Sequence, residues 1–349
     1  MRLNVPKSMA AVVRRQKKLQ KAFVELIDGA APATKSSTPP KASVSKARRA
    51  APAPLAEVTS FGSNPGHLRM MCYVPPGLEA GAPLVVVLHG CGQTAQEFDE
   101  GSGWSRLAGQ HGFALLYPEQ RSSNNPNGCF NWFRPSAVAR DRGETGSVRQ
   151  MIDAMVEAHS LDANRVFIMG LSAGGALTAA ALAAYPEVFS AGAVVAGLPV
   201  GGARDAMNAL GLMHSGTTKT PEEWAQLVFQ AAPEGQQWPR ISIWQGREDD
   251  VVHQKNADSL VIQWLAVHGL LGGQAQPVRY GRDDGYVWRD ETGAVKVEYA
   301  LLNNHGHGLP IKPVEGRAMP YMLASDMHLP SLLVESWGLG TAAGKRKVA

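Results

Sequence analysis

The sequence predicts an α/β domain in which a mostly parallel β-sheet carries helices on both faces. Apolar, β-branched runs such as PLVVVLHG (83–90) and RVFIMGL (165–171) are typical of strands that are buried on both sides. From residue 56 onward such runs alternate with helical patterns, which is the order expected when helices connect parallel strands. The chain of 349 residues is long enough for one such domain with additional segments.

The predicted elements follow one another in a simple order. Strands are expected at 67–75, 83–90, 113–118, 165–171, 191–197, 241–246 and 295–302, and 295–302 is expected to be the last strand. Helices are expected at 103–112, at about 144–159, directly after Ser172, at 256–269 and at 329–339. Residues 201–240 interrupt the alternation with two helix-like pieces. They follow one strand and precede another, so they form either a small cap over the carboxyl ends of the strands or an ornamental insertion.

The terminal segments differ from the domain in composition. Residues 1–27 predict a basic amphipathic helix, 28–55 an Ala/Pro/Ser/Lys-rich linker, 56–340 the catalytic domain and 341–349 a basic tail. Twelve Lys and Arg residues against two acidic residues give the first 50 residues a charge of +10, so the remainder carries −6 of the overall +4. We therefore expect no nucleic-acid partner. The basic helix would pack on the domain or a partner subunit, or make a weak contact with a membrane surface or granule.

The hydropathy pattern gives an expectation for where the protein resides in the cell. No run of 18 apolar residues occurs, so no membrane span is expected. No apolar run of signal-peptide length precedes the basic residues 14–18, which favours a cytoplasmic location. The oligomeric state is left open.

A serine lies at the break between one buried strand and a small-residue helix. GLSAG (170–174) fits the pattern G-x-S-x-G, in which a sharp strand-to-helix turn exposes a nucleophilic serine. Ser172 is therefore the candidate nucleophile, and the amide of Ala173 is a candidate donor to an oxyanion. The alternative is a Gly-rich turn with an incidental serine.

Two later loops offer the partners that a nucleophilic serine needs. A base must accept its proton and a carboxylate must orient that base. Glu248, Asp249 and Asp250 follow the strand at 241–246, and His305 and His307 follow the strand at 295–302. All lie at the carboxyl edge of the predicted sheet, in the order acid and then histidine. Spacing alone does not separate the neighbours within each loop.

The segment LHGCGQ (88–93) follows the first buried strand. Its glycines allow the backbone to approach a substrate carbonyl, and the amide of Cys91 is the second candidate oxyanion donor. His89 is expected to brace the loop and not to act as a base.

The segments LHGCGQTAQEF, CFNWF, GLSAGGALTAAALAAYPEVF and WQGREDDVVHQKNAD resemble the polyhydroxybutyrate depolymerase family of α/β-hydrolase esterases, over roughly residues 65–310. That family also includes feruloyl and acetyl-xylan esterases. The resemblance implies an α/β-hydrolase fold, no metal and no organic cofactor. Its acid-loop pattern G-x-x-D-x-x-V selects Asp249, and its pattern G-H-x-x-P selects His307.

The expected function is that of a serine esterase acting through an acyl-enzyme, on short-chain hydroxyalkanoate esters or oligomers. Feruloyl or acetyl-xylan esters are the alternative, and a thioesterase, a peptidase or an inactive granule-binding protein are further ones. Leu309 stands where the family usually has an aromatic residue. Many family members are secreted and carry a separate surface-binding domain, and the short basic tail favours soluble esters or oligomers over crystalline polymer.

Two further features come with the resemblance. Cys91 and Cys129 stand where family members often carry cysteines, so they form a disulfide in an oxidising compartment or remain free thiols in the cytosol. Trp132, in the CFNWF loop, and Trp104 are candidates for lining the acyl pocket.

Overall fold

The computed structural model describes residues 54–317 and 319–339. The predicted helix at 1–27, nearly all of the linker at 28–55 and the tail at 341–349 lie outside these residues. Within the described part, no helix is long and apolar enough to cross a membrane.

The described residues form twelve strands. They are β1 (Ala56–Val58), β2 (Arg69–Tyr73), β3 (Leu84–Leu88), β4 (Ala114–Glu119), β5 (Val166–Leu171), β6 (Ala191–Val195), β7 (Arg240–Gly246), β8 (Gln276–Tyr280), β9 (Asp283–Arg289), β10 (Val295–Leu302), β11 (Leu309–Ile311) and β12 (Met322–Ala324). The helices of the described residues are α1 (Ala95–Ser102), α2 (Trp104–His111), α3 (Pro135–Val138), α4 (Gly143–His159), α5 (Ala173–Ala184), α6 (Ala206–Ser215), α7 (Pro221–Phe229), α8 (Lys255–Val267) and α9 (Leu329–Ser336).

Ten of the strands form one mixed sheet, in the order β1-β2-β4-β3-β5-β6-β7-β10-β9-β8. The six inner strands, from β4 to β10, pair in parallel, whereas both flanks pair antiparallel. Because β5, β7 and β10 are parallel, their carboxyl ends lie at one edge of the sheet. The prediction of a mostly parallel sheet is confirmed.

The inner strands β3, β4, β5 and β6 are buried on both faces, as their apolar composition predicts. On one face, Val85 and Val87 belong to the same hydrophobic core as Trp104 of α2 and Leu333 of α9. On the other face, α5 packs on β5 and β6, and α8 packs on β7 and β10. The contact between α5 and β6 is close enough that a Cβ on Gly192 would lie 2.6 Å from Leu182. Helices therefore cover both faces.

The sheet has more strands than the sequence predicts. The hairpin of β8 and β9 was not predicted because most of its side chains are exposed or half-buried, so it contains no apolar run. It pairs with the edge of β10. The prediction that β10 is the last strand is wrong for the chain, since β11 and β12 follow and form a separate two-stranded parallel sheet.

The insertion at 201–240 contains α6 and α7 and is anchored on α8. The buried Gln263 side chain accepts a hydrogen bond from Val200 N and donates to Val200 O and Trp224 O. Asn256, at the start of α8, donates to Leu212 O of α6 at 2.8 Å. The insertion is thus attached to the helix that follows the acid loop.

Candidate active site

Ser172 lies in a strained backbone conformation between β5 and α5. Its φ of 57° and ψ of −118° are rare for a residue with a side chain, and a strained non-glycine backbone is often found at functional sites. A hydrogen bond from Ser172 N to Val195 O, at 2.9 Å, fixes this turn to β6. The serine is the first residue before the helix, so its side chain stands at the positive end of the α5 dipole.

The glycines around the serine allow three chain segments to meet. A Cβ on Gly170 would lie 2.2 Å from Gly174 O, and a Cβ on Gly174 would lie 2.4 Å from Leu88 O and 2.5 Å from His89 O. No heavier residue fits at either position. The turn that carries Ser172 and Ala173 therefore packs directly against the backbone that leads to Cys91.

The carboxylate of Asp249 is fully buried and accepts four hydrogen bonds. Its Oδ1 accepts from Val251 N at 2.9 Å and from Val252 N at 2.7 Å. Its Oδ2 accepts from Gln245 Nε2 at 3.0 Å and is 2.8 Å from His307 Nδ1. The two backbone amides hold the carboxylate in one orientation, with Oδ2 directed at the imidazole.

The neighbours of Asp249 and His307 occupy different places. Glu248 and Asp250 are exposed. His305 is buried, its Nε2 is 3.2 Å from Gly308 O, and burial lowers the pKa of its imidazole below the ordinary value. His305 thus has a structural environment, whereas His307 contacts the acid.

The acid loop and the histidine loop touch at one glycine. A Cβ on Gly246 would lie 2.2 Å from His305 O, and Glu248 N donates to that same oxygen at 3.0 Å. The His307 side chain is only 7% exposed. Because its Nδ1 faces Asp249, its Nε2 is the ring nitrogen left to exchange a proton with another group.

Gln245 is a site residue that the sequence pattern does not indicate. Its buried amide donates to Asp249 Oδ2 and to Val252 O, so it supports the carboxylate from the end of β7. The one signal was its place: with Ser242, it is one of two polar side chains in the mostly apolar run ISIWQG. Nothing in the pattern indicated that it reaches the acid.

A disulfide links Cys91 to Cys129, with their Cα atoms 4.2 Å apart. The sequence left this pairing open. A backbone hydrogen bond from Gly92 N to Asn127 O, at 3.0 Å, lies beside it. The disulfide and this bond join the segment containing Cys91 to the CFNWF loop.

His89 fixes the direction of the Cys91 amide. Its Nε2 accepts from Gln120 N at 3.1 Å, so its Nδ1 carries the hydrogen that is donated to Gly90 O at 2.7 Å. Burial lowers the pKa of His89, and the hydrogen bond that its Nε2 accepts is one that a neutral imidazole makes. In a trans peptide the C=O and the following N–H point in opposite directions. Holding Gly90 O therefore directs the Cys91 N–H away from His89, which is the bracing contact predicted for this histidine.

Neither candidate oxyanion amide has a hydrogen-bond partner among the described residues. Among residues 54–317 and 319–339, the amides of Cys91 and Ala173 donate no hydrogen bond. Ala173 is the first residue of α5, where amides have no partner within the helix. The two amides are therefore available to an anionic group.

A buried carboxylate supports the CFNWF loop. Glu144 accepts from Gln120 Nε2 and from Asn131 Nδ2, both at 2.7 Å, and from Asn131 N at 2.8 Å. Burial raises the pKa of Glu144. Asn131 directly precedes Trp132, so this network fixes the backbone next to that aromatic residue.

The two candidate acyl-pocket residues have different environments. Trp132 is half-buried and packs edge-to-face on Phe133, with their centroids 5.6 Å apart. Trp104 has no exposed surface and stacks on Trp337 in the core, so its assignment to the acyl pocket is wrong. Because α2 presents this residue to the sheet, the ring fills space between α2 and α9. No group of three or more His, Cys, Asp or Glu side chains in the described residues is arranged to hold a metal ion.

Comparison with known proteins identifies the family. Residues 68–283 match the model of the family described as esterase PHB depolymerase. The chain is 41% identical over 264 residues to poly(3-hydroxyalkanoate) depolymerase C of Paucimonas lemoignei, covering 75% of this chain and 63% of that protein. It is 35% identical to feruloyl esterase B of Thermothelomyces thermophilus, covering 62% of this chain and 76% of that one.

A solved structure has the same fold. Acetyl xylan esterase from Aspergillus awamori superposes with a TM-score of 0.70 at 23% sequence identity, over 82% of this chain and 100% of that one. This similarity identifies the fold as that of the α/β-hydrolases. The match over residues 68–283 shows that the chain belongs to the esterase PHB depolymerase family.

Proposed function

We propose that this protein is a carboxylic ester hydrolase in which Ser172, His307 and Asp249 act as a catalytic triad. The observation that carries the proposal is the 2.8 Å contact between His307 Nδ1 and the buried Oδ2 of Asp249. It lies at the same sheet edge as the strained Ser172. An imidazole oriented by a buried carboxylate is the base that activates a serine hydroxyl for attack on a carbonyl, and Ser172 is the hydroxyl that we propose it activates.

The reaction has two halves. In the first, Ser172 Oγ attacks the ester carbonyl while His307 Nε2 accepts its proton, and the collapse of the tetrahedral adduct expels the alcohol, which takes that proton. In the second half, water gives a proton to His307 and attacks the acyl-enzyme, and the acid leaves as Ser172 regains its hydrogen. Asp249 stabilises the imidazolium that forms in each half.

The amides of Cys91 and Ala173 would stabilise the oxyanion. Both lack partners within the described protein, and they belong to two segments that pack against each other at Gly174. Donors fixed before the reaction need no reorganisation when charge develops on the carbonyl oxygen. One such donor contributes about a 10²- to 10³-fold increase in rate.

We propose short-chain hydroxyalkanoate esters or oligomers as the substrate class. The relative that shares 41% identity is a poly(3-hydroxyalkanoate) depolymerase, although the chain spans only 63% of its length. Feruloyl or acetyl-xylan esters are the second candidate, because relatives with those names share 35% and 31% identity. Trp132 is the residue in the described structure that we propose contacts the acyl group.

A panel of esters tests both the reaction and the substrate class. The panel contains p-nitrophenyl acetate, butyrate and octanoate, 3-hydroxybutyrate trimer and methyl ferulate. We expect the highest kcat/KM on the hydroxybutyrate trimer and on p-nitrophenyl butyrate. We expect no turnover by the Ser172→Ala variant, whose circular dichroism spectrum should match that of the wild type. A preference for methyl ferulate would move the substrate to the second candidate, and full activity of Ser172→Ala would refute the mechanism.

A further inference from the structure

The buried side chain of Gln93 connects two segments that are 227 residues apart. Its Oε1 accepts a hydrogen bond from Gly90 N at 2.9 Å. Its Nε2 donates to Pro320 O at 3.0 Å. Gln93 is 7% exposed, so water does not readily replace either bond.

The segment at the far end of this connection contacts the histidine. Tyr321 follows Pro320 directly, and its ring lies edge-on to the His307 ring, with the centroids 6.0 Å apart. Tyr321 O also accepts from Leu309 N at 2.8 Å, which ties this segment to the strand that follows His307. Through Pro320, Gln93 therefore links the Cys91 loop to the packing around the histidine.

The near end of the connection fixes the backbone before Cys91. The Gln93 side chain holds the N–H of Gly90, while Gln93 N and His89 Nδ1 both donate to the C=O of Gly90. The peptides on both sides of Gly90 are thereby oriented. The second of these peptides contains the Cys91 N–H.

We propose that Gln93 is a positioning residue for ester hydrolysis, which sets the Cys91 amide in register with His307. The inference rests on the proposed function, since it assumes that the Cys91 amide binds the oxyanion. Gln93 itself touches neither the reacting atoms nor the triad. Its loss frees the Gly90 N–H and separates the Cys91 loop from the segment at 319–322. A displacement of about 1 Å at a catalytic group can lower the rate about 10²-fold.

The test compares two buried glutamines with the same kind of contacts. Gln93→Met keeps the length of the side chain and removes both hydrogen bonds. Gln263→Met is the matched control, because Gln263 also accepts from one backbone N–H and donates to backbone carbonyls, but joins α8 to the insertion. Gln93→Glu is the second variant, which keeps the acceptor for Gly90 N and loses the donor to Pro320 O. The kinetics use p-nitrophenyl butyrate, with the folded fraction measured by circular dichroism.

We expect Gln93→Met to lower kcat about 10- to 100-fold with KM within about twofold of the wild type. The rate of inactivation by a fluorophosphonate should fall in parallel, because its phosphonyl oxygen uses the same amides. Gln93→Glu should lie between Gln93→Met and the wild type. Gln263→Met should lower the melting temperature and leave kcat within about twofold.

The inference is overturned if kcat changes less than threefold in Gln93→Met and Gln93→Glu, if the loss is confined to KM, or if Gln263→Met loses as much kcat. If Gln93→Met does not fold, Gln93→Glu decides by the same criteria. Failure of the proposed function gives a different result, because the wild type would then show no serine-dependent hydrolysis.

Discussion

Replacing Asp249 by Asn changes one atom in a site where every contact is a donor. Val251 N and Val252 N donate to one carboxylate oxygen, and Gln245 Nε2 and His307 Nδ1 face the other. An amide NH2 group in either orientation therefore points at two hydrogen-bond donors. If the NH2 faces His307, the imidazole must give up its Nδ1 hydrogen and place it on Nε2, where the serine proton has to be accepted.

The expected loss follows from this exchange. Removing the charge and the correct tautomer in a serine triad lowers kcat about 10⁴-fold. We expect a loss of about 10³- to 10⁴-fold, equivalent to about 4 to 5 kcal/mol of transition-state stabilisation. The buried mismatch should also lower the free energy of unfolding by about 1 to 3 kcal/mol.

The assay is steady-state hydrolysis of p-nitrophenyl butyrate, corrected for folded protein. Asp250→Asn is the control, because Asp250 is exposed one residue away and should retain kcat within about twofold. Equal losses in the two variants, or a loss reversed between them, would show that Asp249 is not the orienting acid.

Three further predictions concern the scaffold of the site. Gly170→Ala should prevent stable folding because its Cβ would lie 2.2 Å from the backbone oxygen of Gly174, whereas Gly272→Ala meets open space and should melt like the wild type; soluble yield and thermal melting decide. Cys129→Ser removes a cross-link between residues that are 38 positions apart in the sequence. We expect the free energy of unfolding, measured in urea, to fall by about 2 to 4 kcal/mol, and kcat to fall as well. An unchanged kcat would mean that the Cys91 loop holds its shape without the disulfide. Burial lowers the pKa of His268 to about 4, so the stability that the neutral imidazole contributes is present above pH 6.5 and is lost as the pH falls from 6.5 through 4. Over this range the melting temperature of His268→Leu should therefore fall less steeply than that of the wild type. An identical slope in the two proteins would contradict this assignment.

The sequence predicts the elements of the fold wherever burial leaves a strong pattern. The continuous apolar runs at β3 and β5 require strands covered on both faces, and both strands are present. The hairpin of β8 and β9 escapes prediction because an edge hairpin with exposed side chains needs no apolar pattern. Its position depends on pairing with β10, which is a tertiary contact.

In the candidate site, too, some residues could be predicted from the sequence and others could not. The glycines around Ser172 are required by close backbone contacts at the turn, and the pattern G-x-S-x-G carries that signal in the sequence. The choice of Asp249 and His307 came from family resemblance, and the structure brings these two residues into contact. Trp104 was misassigned because the face that a helical residue presents depends on the packing of α2, which the local pattern does not determine.

The contacts of Gln93 and Gln245 could not be predicted from the sequence. A buried amide requires partners, but the sequence does not say which ones: Gln245 donates to Asp249 in the following loop, and Gln93 donates to Pro320, 227 residues away. Composition and spacing contain no information on that pairing. Both glutamines stand beside glycines in quoted motifs, and only the folded chain shows what they hold.

The most direct measurement is to trap the nucleophile. The wild-type protein and Ser172→Ala are treated with a fluorophosphonate, digested and analysed by mass spectrometry. We predict a single adduct on Ser172 in the wild type, formed in parallel with the loss of ester hydrolysis, and none at that peptide in the variant. Inactivation with the adduct on another residue, or hydrolysis that persists after Ser172 is fully modified, would contradict the proposal.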